Sequence, residues 1–128
     1  MNPCRDVLVV DDDPDMLEVI ELVLHDAGYP TRTALNGLEA LEAVAVDMPA
    51  LILLDMLMPV MNGWQFTQEF RARYGTSAPI VVATAAEHVH SRGDDIDAAD
   101  VLAKPFEVSE LLRIVARHVP APQPLNFW

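Results

Sequence analysis

Positive charge is scarce in this chain of 128 residues, which has 8 Lys and Arg residues against 20 Asp and Glu residues. The formal net charge is −12. A general nucleic-acid binder needs a basic surface to displace counterions from phosphates, and anionic lipid attracts basic segments. The composition therefore argues against direct nucleic-acid binding and against docking on a membrane surface.

Cysteine and long apolar runs are scarce as well. Cys4 is the only cysteine, which excludes an internal disulfide framework and a four-cysteine zinc site. No apolar run approaches the roughly 20 residues of a membrane-spanning helix, and residues 1–6 lack the apolar core of a signal peptide. Together these absences predict a cytoplasmic protein. Lysine is equally rare, since Lys104 is the only one in the chain.

The rest of the composition is that of a globular domain, with 52 % hydrophobic and 22 % charged residues. Short apolar segments of strand length stand at residues 7–10, 51–54, 80–83 and 101–103, and residues 31–34 are a weaker candidate for a strand. Continuous apolar runs without polar alternation are typical of strands that are covered on both faces, as in a parallel sheet.

Helical patterns separate these segments. Asp13 stands as an N-cap before Pro14 at the first helical position. Asn36 and Glu39 have the spacing of a capping box at the start of a second helix. In all, we predict helices at residues 14–27, 37–45, 64–74 and 109–119, with an ambiguous element at 87–99.

This alternation of strands and helices predicts an α/β fold. We expect a doubly wound, five-stranded parallel sheet of the flavodoxin-like type, in the order 2-1-3-4-5, with helices on both faces. The predicted domain covers residues 1–119, and residues 120–128, with three prolines, are predicted to be a tail or linker stub. Ligands of such sheets bind at the carboxyl ends of the strands.

Polar side chains stand where the predicted strands end. They are Asp11, Asp12, Asp13, Asp55, Thr84 and Lys104. Two carboxylates 4 Å apart repel each other by roughly 4 kcal/mol at an effective dielectric of about 20, so a raised pKa, a cation or a bound metal must offset the repulsion. Oxygen ligands suit Mg²⁺, whereas a hydroxyl and an ammonium are donors for an anion such as phosphate.

Each of these residues also has a plain structural interpretation. Asp13 fits a helix cap, Asp11 and Asp12 fit solvated loop acids, and Asp55 fits the start of a turn. The functional interpretation gains weight because all of them fall at strand ends of one pattern. An aspartate that faces a metal and a lysine can act as a nucleophile and form an acyl phosphate.

Four motifs resemble the receiver domain of two-component response regulators. In chain order they are VLVVDDDPDMLEVIELVLHDAGY, LILLDMLMPVMNGW, IVVATAAE and VLAKPF, and the resemblance covers residues 7–119. It implies a phosphorelay signalling domain and not an enzyme that acts on a separate substrate. The implied phosphoryl donor is a histidine kinase or a phosphotransfer protein.

The resemblance also implies a phosphoacceptor and a cofactor. Asp55 would receive the phosphoryl group. Mg²⁺ would be held by Asp11, Asp12 and Asp55 together with the backbone carbonyl of Leu57. Phosphoryl transfer depends mainly on positioning and on neutralisation of the phosphoryl oxygens, which such a charge arrangement can supply.

The phosphoryl group itself would be bound by Thr84, by the backbone of Ala85 and by Lys104, and the resemblance implies a cis Lys104–Pro105 peptide bond. Many receivers have an aromatic residue three positions before this lysine, and its ring changes rotamer when the threonine moves. Val101 stands there in this sequence, so this part of the switch is altered.

A second departure from the family pattern lies at residues 87–99. Gly93 and three nearby aspartates disfavour a regular helix there. We expect a short or broken fourth helix that is the most mobile element without phosphate. With the fifth strand and the C-terminal helix, this region forms the usual output or dimer surface of the family, so a homodimer through that surface is a further expectation.

Two other functions stay open. A degenerate receiver would act only as a protein-interaction module. A small haloacid-dehalogenase-type phosphatase would use Asp11 and Asp13 as its acidic pair, but Pro14 follows where a flexible turn is expected, the length leaves no room for a cap domain, and Asp55 would have no role.

Overall fold

A computed structural model describes residues 6–85 and 98–120. Strands and helices alternate in these ranges: β1 (Val7–Val10), α1 (Pro14–Asp26), β2 (Thr31–Ala34), α2 (Gly37–Val46), β3 (Leu51–Asp55), α3 (Gly63–Tyr74), β4 (Ile80–Ala85), β5 (Asp100–Lys104) and α4 (Val108–His118). None of these helices is long and apolar enough to cross a membrane. Most of the predicted element at 87–99, and the tail from residue 121 onward, lie outside the described residues.

The strands form one parallel sheet in the order β2-β1-β3-β4-β5, which confirms the predicted flavodoxin-like topology. Val10 lies opposite Leu54 of β3, and Asp55 lies opposite Ala83 of β4. Because all strands run in the same direction, the carboxyl ends of β1, β3, β4 and β5 meet at one edge of the sheet.

Both faces of the central strands are covered. Val7 and Val9 lie in one apolar layer with side chains of α1 and α4, whereas Leu8 and Val10 lie in a second layer with side chains of α2 and α3. This two-sided burial explains the continuous apolar runs of the sequence. Each buried aliphatic side chain stabilises the fold by roughly 1.5–3 kcal/mol relative to an exposed one.

Helices α1 and α2 each begin at a residue whose side chain caps the helix. Asp13 caps α1, as predicted, and its carboxylate accepts hydrogen bonds from two backbone N–H groups of the first turn at 3.0 and 3.4 Å. Asn36 caps α2 and accepts from the N–H of Glu39 at 3.0 Å. The Glu39 carboxylate, however, accepts from the N–H of Leu35 at 2.9 Å, one residue before the expected partner. The predicted reciprocal box is therefore wrong in this detail.

Several element boundaries differ from the predicted ones by one or two residues. The helix predicted at 64–74 begins at Gly63, and the one predicted at 109–119 covers Val108–His118. Three strands extend beyond their apolar runs, to Leu51–Asp55, Ile80–Ala85 and Asp100–Lys104. Backbone pairing continues past the last apolar residue, so polar end residues such as Asp55 are fixed by the sheet ladder itself.

An ion pair between Asp6 and Arg32, called the clamp below, lies at the opposite, amino end of the sheet. Asp6 precedes β1 with its side chain 7 % exposed, and the guanidinium of Arg32 on β2 binds both of its carboxylate oxygens. The guanidinium also donates to the carbonyl oxygens of Ala43 and Asp47, each at 2.7 Å. This bidentate pair therefore fastens β1, β2 and the end of α2 together.

Candidate functional site

Two neighbouring aspartates leave β1 in different environments. The N–H of Asp11 still pairs with Ala34 of β2 at 3.1 Å, and its side chain is buried, with Oδ1 accepting from the N–H of Asp13 at 3.0 Å. Asp12 is exposed. The turn before α1 thus fixes one carboxylate in the protein and leaves the next one facing solvent.

Asp55 ends β3 beside these residues, with its side chain 14 % exposed. Asp11, Asp12 and Asp55 each offer a carboxylate oxygen, and these oxygens lie within 4.8 Å of one another. Three hard oxygen donors with one side open to water are a donor set that fits Mg²⁺, which binds few protein ligands and retains water. The roles predicted for these residues as metal ligands stay predictions.

Lys104 ends β5 and brings the positive charge of the site. Its Nζ donates to Oδ2 of Asp11 at 2.9 Å and lies 3.8 Å from Oδ1 of Asp55. The Lys104–Pro105 peptide bond is cis. One ammonium therefore faces two carboxylates, and with Asp12 nearby the cluster keeps a surplus of negative charge.

Burial at this edge of the sheet shifts the protonation of Asp55. Its pKa is raised from 3.8 to about 6, chiefly because burial disfavours the charged form. The negative charges of Asp11 and Asp12 raise the pKa further, whereas Lys104 and a hydrogen bond from the backbone N–H of Leu57 lower it. Asp55 is therefore still mainly ionised at pH 7.

The other predicted phosphate-binding groups lie on the strand between Asp55 and Lys104. Thr84 is buried near the end of β4, and Ala85 is the last residue of that strand, directly opposite Lys104. The sheet thus places these two residues at the same edge as the carboxylates. Val101 lies three residues earlier on β5, opposite Val82, and is partly buried.

The loop between β3 and α3 contains Leu57, the one loop residue to which the sequence resemblance gives a role at the site. Leu57 and Val60 are exposed in it, and Val60 has a φ of 68°, which is unusual for a β-branched residue. The N–H of Met61 bonds the carbonyl of Pro59 at 2.8 Å around this residue. The N–H of Gly37 in α2 bonds the Met61 carbonyl at 2.9 Å. For the conformation of the rest of the loop, the sequence offers only turn-forming residues as signals.

Comparison with known proteins places this site in a family context. The sequence model of the family described as response regulator receiver domain matches residues 7–116. Response regulator MprA of Mycobacterium ulcerans is 41 % identical over 108 residues, which are 83 % of this chain and 46 % of that protein. Response regulator MprA of Mycobacterium leprae is likewise 41 % identical. The chain spans about half the length of these curated relatives.

Solved structures agree with this match. The chemotaxis protein CheY4 of Vibrio cholerae superposes with a TM-score of 0.81 at 31 % identity, covering 90 % of this chain and 98 % of that chain. The receiver domain of sensor histidine kinase PA1611 from Pseudomonas aeruginosa PAO1 has a TM-score of 0.79 at 34 % identity, covering 89 % and 96 %. That structure has a magnesium ion coordinated in the active site cleft.

Proposed function

This chain belongs to the response regulator receiver domain family, and on that premise we propose that it accepts a phosphoryl group on Asp55 in a Mg²⁺-dependent reaction. The observation that carries the proposal is the cluster of Asp11, Asp12 and Asp55, whose oxygens lie within 4.8 Å of one another, with Nζ of Lys104 2.9 and 3.8 Å from two of them. Such a surplus of acid at strand ends suits a site that binds a cation, and the ammonium of Lys104 is a donor for phosphoryl oxygens.

The chemistry assigned to Asp55 is nucleophilic attack. A carboxylate oxygen of Asp55 attacks the phosphorus of a phosphohistidine, an O–P bond forms, the P–N bond breaks, and the released imidazole takes a proton from solvent. The product is an acyl phosphate. A pKa of about 6 leaves Asp55 ionised at pH 7 and so competent as a nucleophile.

Other groups at the same edge receive the transferred charge. Lys104 is already in contact with Asp11 and near Asp55, so its ammonium can turn to a phosphoryl oxygen. The hydroxyl of Thr84 and the N–H of Ala85 are the proposed donors on β4. Mg²⁺, held by Asp11, Asp12, Asp55 and the carbonyl of Leu57, would supply neutralisation of the phosphoryl oxygens when bound.

We assign the chain to signalling and expect it to catalyse only its own phosphorylation and dephosphorylation. The proposed donor is a histidine kinase or a phosphotransfer protein. An apolar groove of about 390 Å³ between α1 and α4, lined in part by Met16, Val23, Phe106 and Val108, reaches Lys104 and gives such a partner an apolar contact beside the site. The phosphatase alternative is disfavoured because the carboxylate of Asp13 is engaged as the cap of α1.

Phosphorylation by acetyl phosphate tests the proposal. Wild-type protein with Mg²⁺ is expected to gain one phosphoryl group by intact-mass measurement, and Asp55→Asn is expected to gain none. Asp26→Asn is the matched control, because Asp26 is an exposed aspartate at the far end of α1. Phosphorylation of Asp55→Asn at the wild-type level would refute the assignment, and an unmodified wild type would favour the degenerate receiver.

The role of Lys104 is tested separately. Lys104→Ala is expected to keep Mg²⁺ binding but to lose the phosphorylation-dependent change in tryptophan fluorescence or oligomeric state. The second readout also addresses the proposed homodimer through β5, α4 and the region of residues 87–99. A variant that responds to phosphorylation as the wild type does would contradict the role given to this ammonium.

A further inference from the structure

Helix α2 contacts the site loop through Gly37, its first residue. A Cβ placed on Gly37 would lie 2.6 Å from Cγ, 3.0 Å from Cβ and 2.9 Å from the carbonyl oxygen of Met61. The N–H of Gly37 donates to that same carbonyl at 2.9 Å. Backbone and side chain of Met61 thus lie directly against the helix, at a distance that only glycine permits.

The loop is also held at its α3 end. A Cβ on Gly63 would lie 2.5 Å from Sδ and 2.8 Å from Cα of Met56, and 3.1 Å from the carbonyl oxygen of Asp55. The N–H of Gly63 bonds the Met56 carbonyl at 2.9 Å. The segment from Asp55 to Gly63 is therefore held at two points. Its last residue contacts Met56 near its start, and Met61 contacts the first residue of α2.

The two segments that meet at Gly37, the start of α2 and the site loop, differ in how tightly they are held. The start of α2 is fixed by the Asn36 cap and by the bond from Leu35 to Glu39, and its inner face is buried. The loop is exposed at Val60, where the backbone has a positive φ that is unfavourable for valine. Added bulk at Gly37 would therefore displace the loop and leave α2 in place.

We propose that Gly37 is a positioning residue for the site: by letting α2 abut Met61, it holds the loop where Leu57 lies beside Asp55. Gly63 holds the other side of the loop against Met56 and the Asp55 carbonyl, so the orientation of the Leu57 peptide between these two contacts is set by the loop. The inference rests on the proposed function, in which the carbonyl of Leu57 is a ligand of Mg²⁺. A displaced Leu57 would therefore weaken Mg²⁺ binding. Gly37 acts through Met61 and touches no reacting group.

Gly37→Ala and Gly75→Ala form a matched pair of variants for the test. Gly75 has a φ of 61°, and a Cβ added to it would meet no atom within 4 Å beyond its chain neighbours, so alanine there strains the backbone without touching the loop. In metal-free protein, Gly37→Ala is expected to shift the backbone amide resonance of Leu57, whereas Gly75→Ala leaves it unchanged. Gly37→Ala should bind Mg²⁺ about tenfold more weakly, since small misplacements are costly at such sites. Gly75→Ala should lower only the melting temperature.

The outcomes separate the inference from the proposed function. Wild-type protein that binds no Mg²⁺ would overturn both. Wild-type binding together with an unchanged Leu57 resonance and unchanged affinity in Gly37→Ala would overturn the inference alone. If Gly37→Ala fails to fold, Met61→Ala takes its place, because it removes the loop side of the contact without adding bulk. Weaker Mg²⁺ binding by Met61→Ala supports the inference, and wild-type affinity overturns it.

Discussion

Asp6 and Asp55 are acidic residues at opposite ends of one sheet, and they are paired in very different ways. Asp6 is bound on both oxygens by Arg32, whose remaining donors reach backbone carbonyls at 2.7 Å. Asp55 shares one ammonium, 3.8 Å away, with Asp11. A carboxylate with a complete set of partners serves the fold, whereas a cluster short of cations is ready to receive one.

The largest expected effect comes from breaking the complete pair. Arg32→Met leaves the buried Asp6 without its partner and is expected to lower the free energy of unfolding by about 3 to 5 kcal/mol. Urea denaturation measures this loss. Arg73→Met is the control, because Arg73 pairs at 3.3 Å with an exposed Glu69 and contributes less than about 0.5 kcal/mol. Equal losses in the two variants would contradict the role of the clamp.

Removing the charge of Asp55, which lacks a full set of partners, is expected to raise the free energy of unfolding instead of lowering it. Asp55→Asn should stabilise the metal-free protein at pH 7 by about 1 to 2 kcal/mol, less than the full pKa shift implies because the cluster is partly solvated. Folding raises the pKa of Asp55 from 3.8 to about 6, so its contribution to stability is lost as pH rises through that window. The advantage of Asn should therefore be small at pH 4 and complete above pH 7 in paired denaturation curves.

Asp6→Asn sharpens the same comparison, since it removes a charge that is fully paired. This variant should lose stability at pH 7 where Asp55→Asn gains it. Stabilisation by both substitutions would show that the two ends of the sheet do not differ in the way proposed.

Mg²⁺ should stabilise the protein by binding at the end of the sheet that holds Asp55, and not at the end that holds Asp6. At ten times its dissociation constant, the ion is expected to raise the free energy of unfolding of the wild type by about 1.4 kcal/mol. The effect should weaken as pH falls through about 6, where Asp55 gains a proton. Asp12→Ala should lose the response, and Asp6→Asn should keep it. Melting curves with and without Mg²⁺ measure all of these cases, and a flat wild-type response would count against the site.

The smallest expected effect separates Asp13 from its two acidic neighbours. Asp13→Ala removes the cap of α1 and should cost about 1 kcal/mol of stability. The Mg²⁺ response should remain, because the Asp13 carboxylate faces the first turn of α1. Loss of that response, measured by the same melting curves, would show that Asp13 takes part in the metal site.

The strands and the site edge could be predicted because local sequence determines them. Two-sided burial requires continuous apolar runs such as 51–54, and parallel topology then brings Asp11, Asp55 and Lys104 to one edge without further information. The cap at Asp13 was equally local, since it needs only residues that follow it in the chain.

Contacts between distant segments could not be predicted in this way. The pairing of Asp6 with Arg32 joins residues 26 positions apart, and Gly37 meets Met61 only because α2 and the site loop lie side by side in the fold. The reciprocal box of Asn62 and Gln65 at α3 had a readable spacing but was not predicted. For the element at 87–99, the prediction stands untested, because residues 86–97 lie outside the described ranges.

The lone lysine has a practical consequence for anyone who studies this protein in solution. Lys104 is the only lysine of the sequence, and its ammonium lies 2.9 Å from a carboxylate oxygen of Asp11. Protein produced with isotope-labelled lysine therefore carries one labelled side chain, and that side chain is at the candidate site. Its resonance needs no assignment, and it can report the arrival of a metal or a phosphoryl group even in a crowded extract.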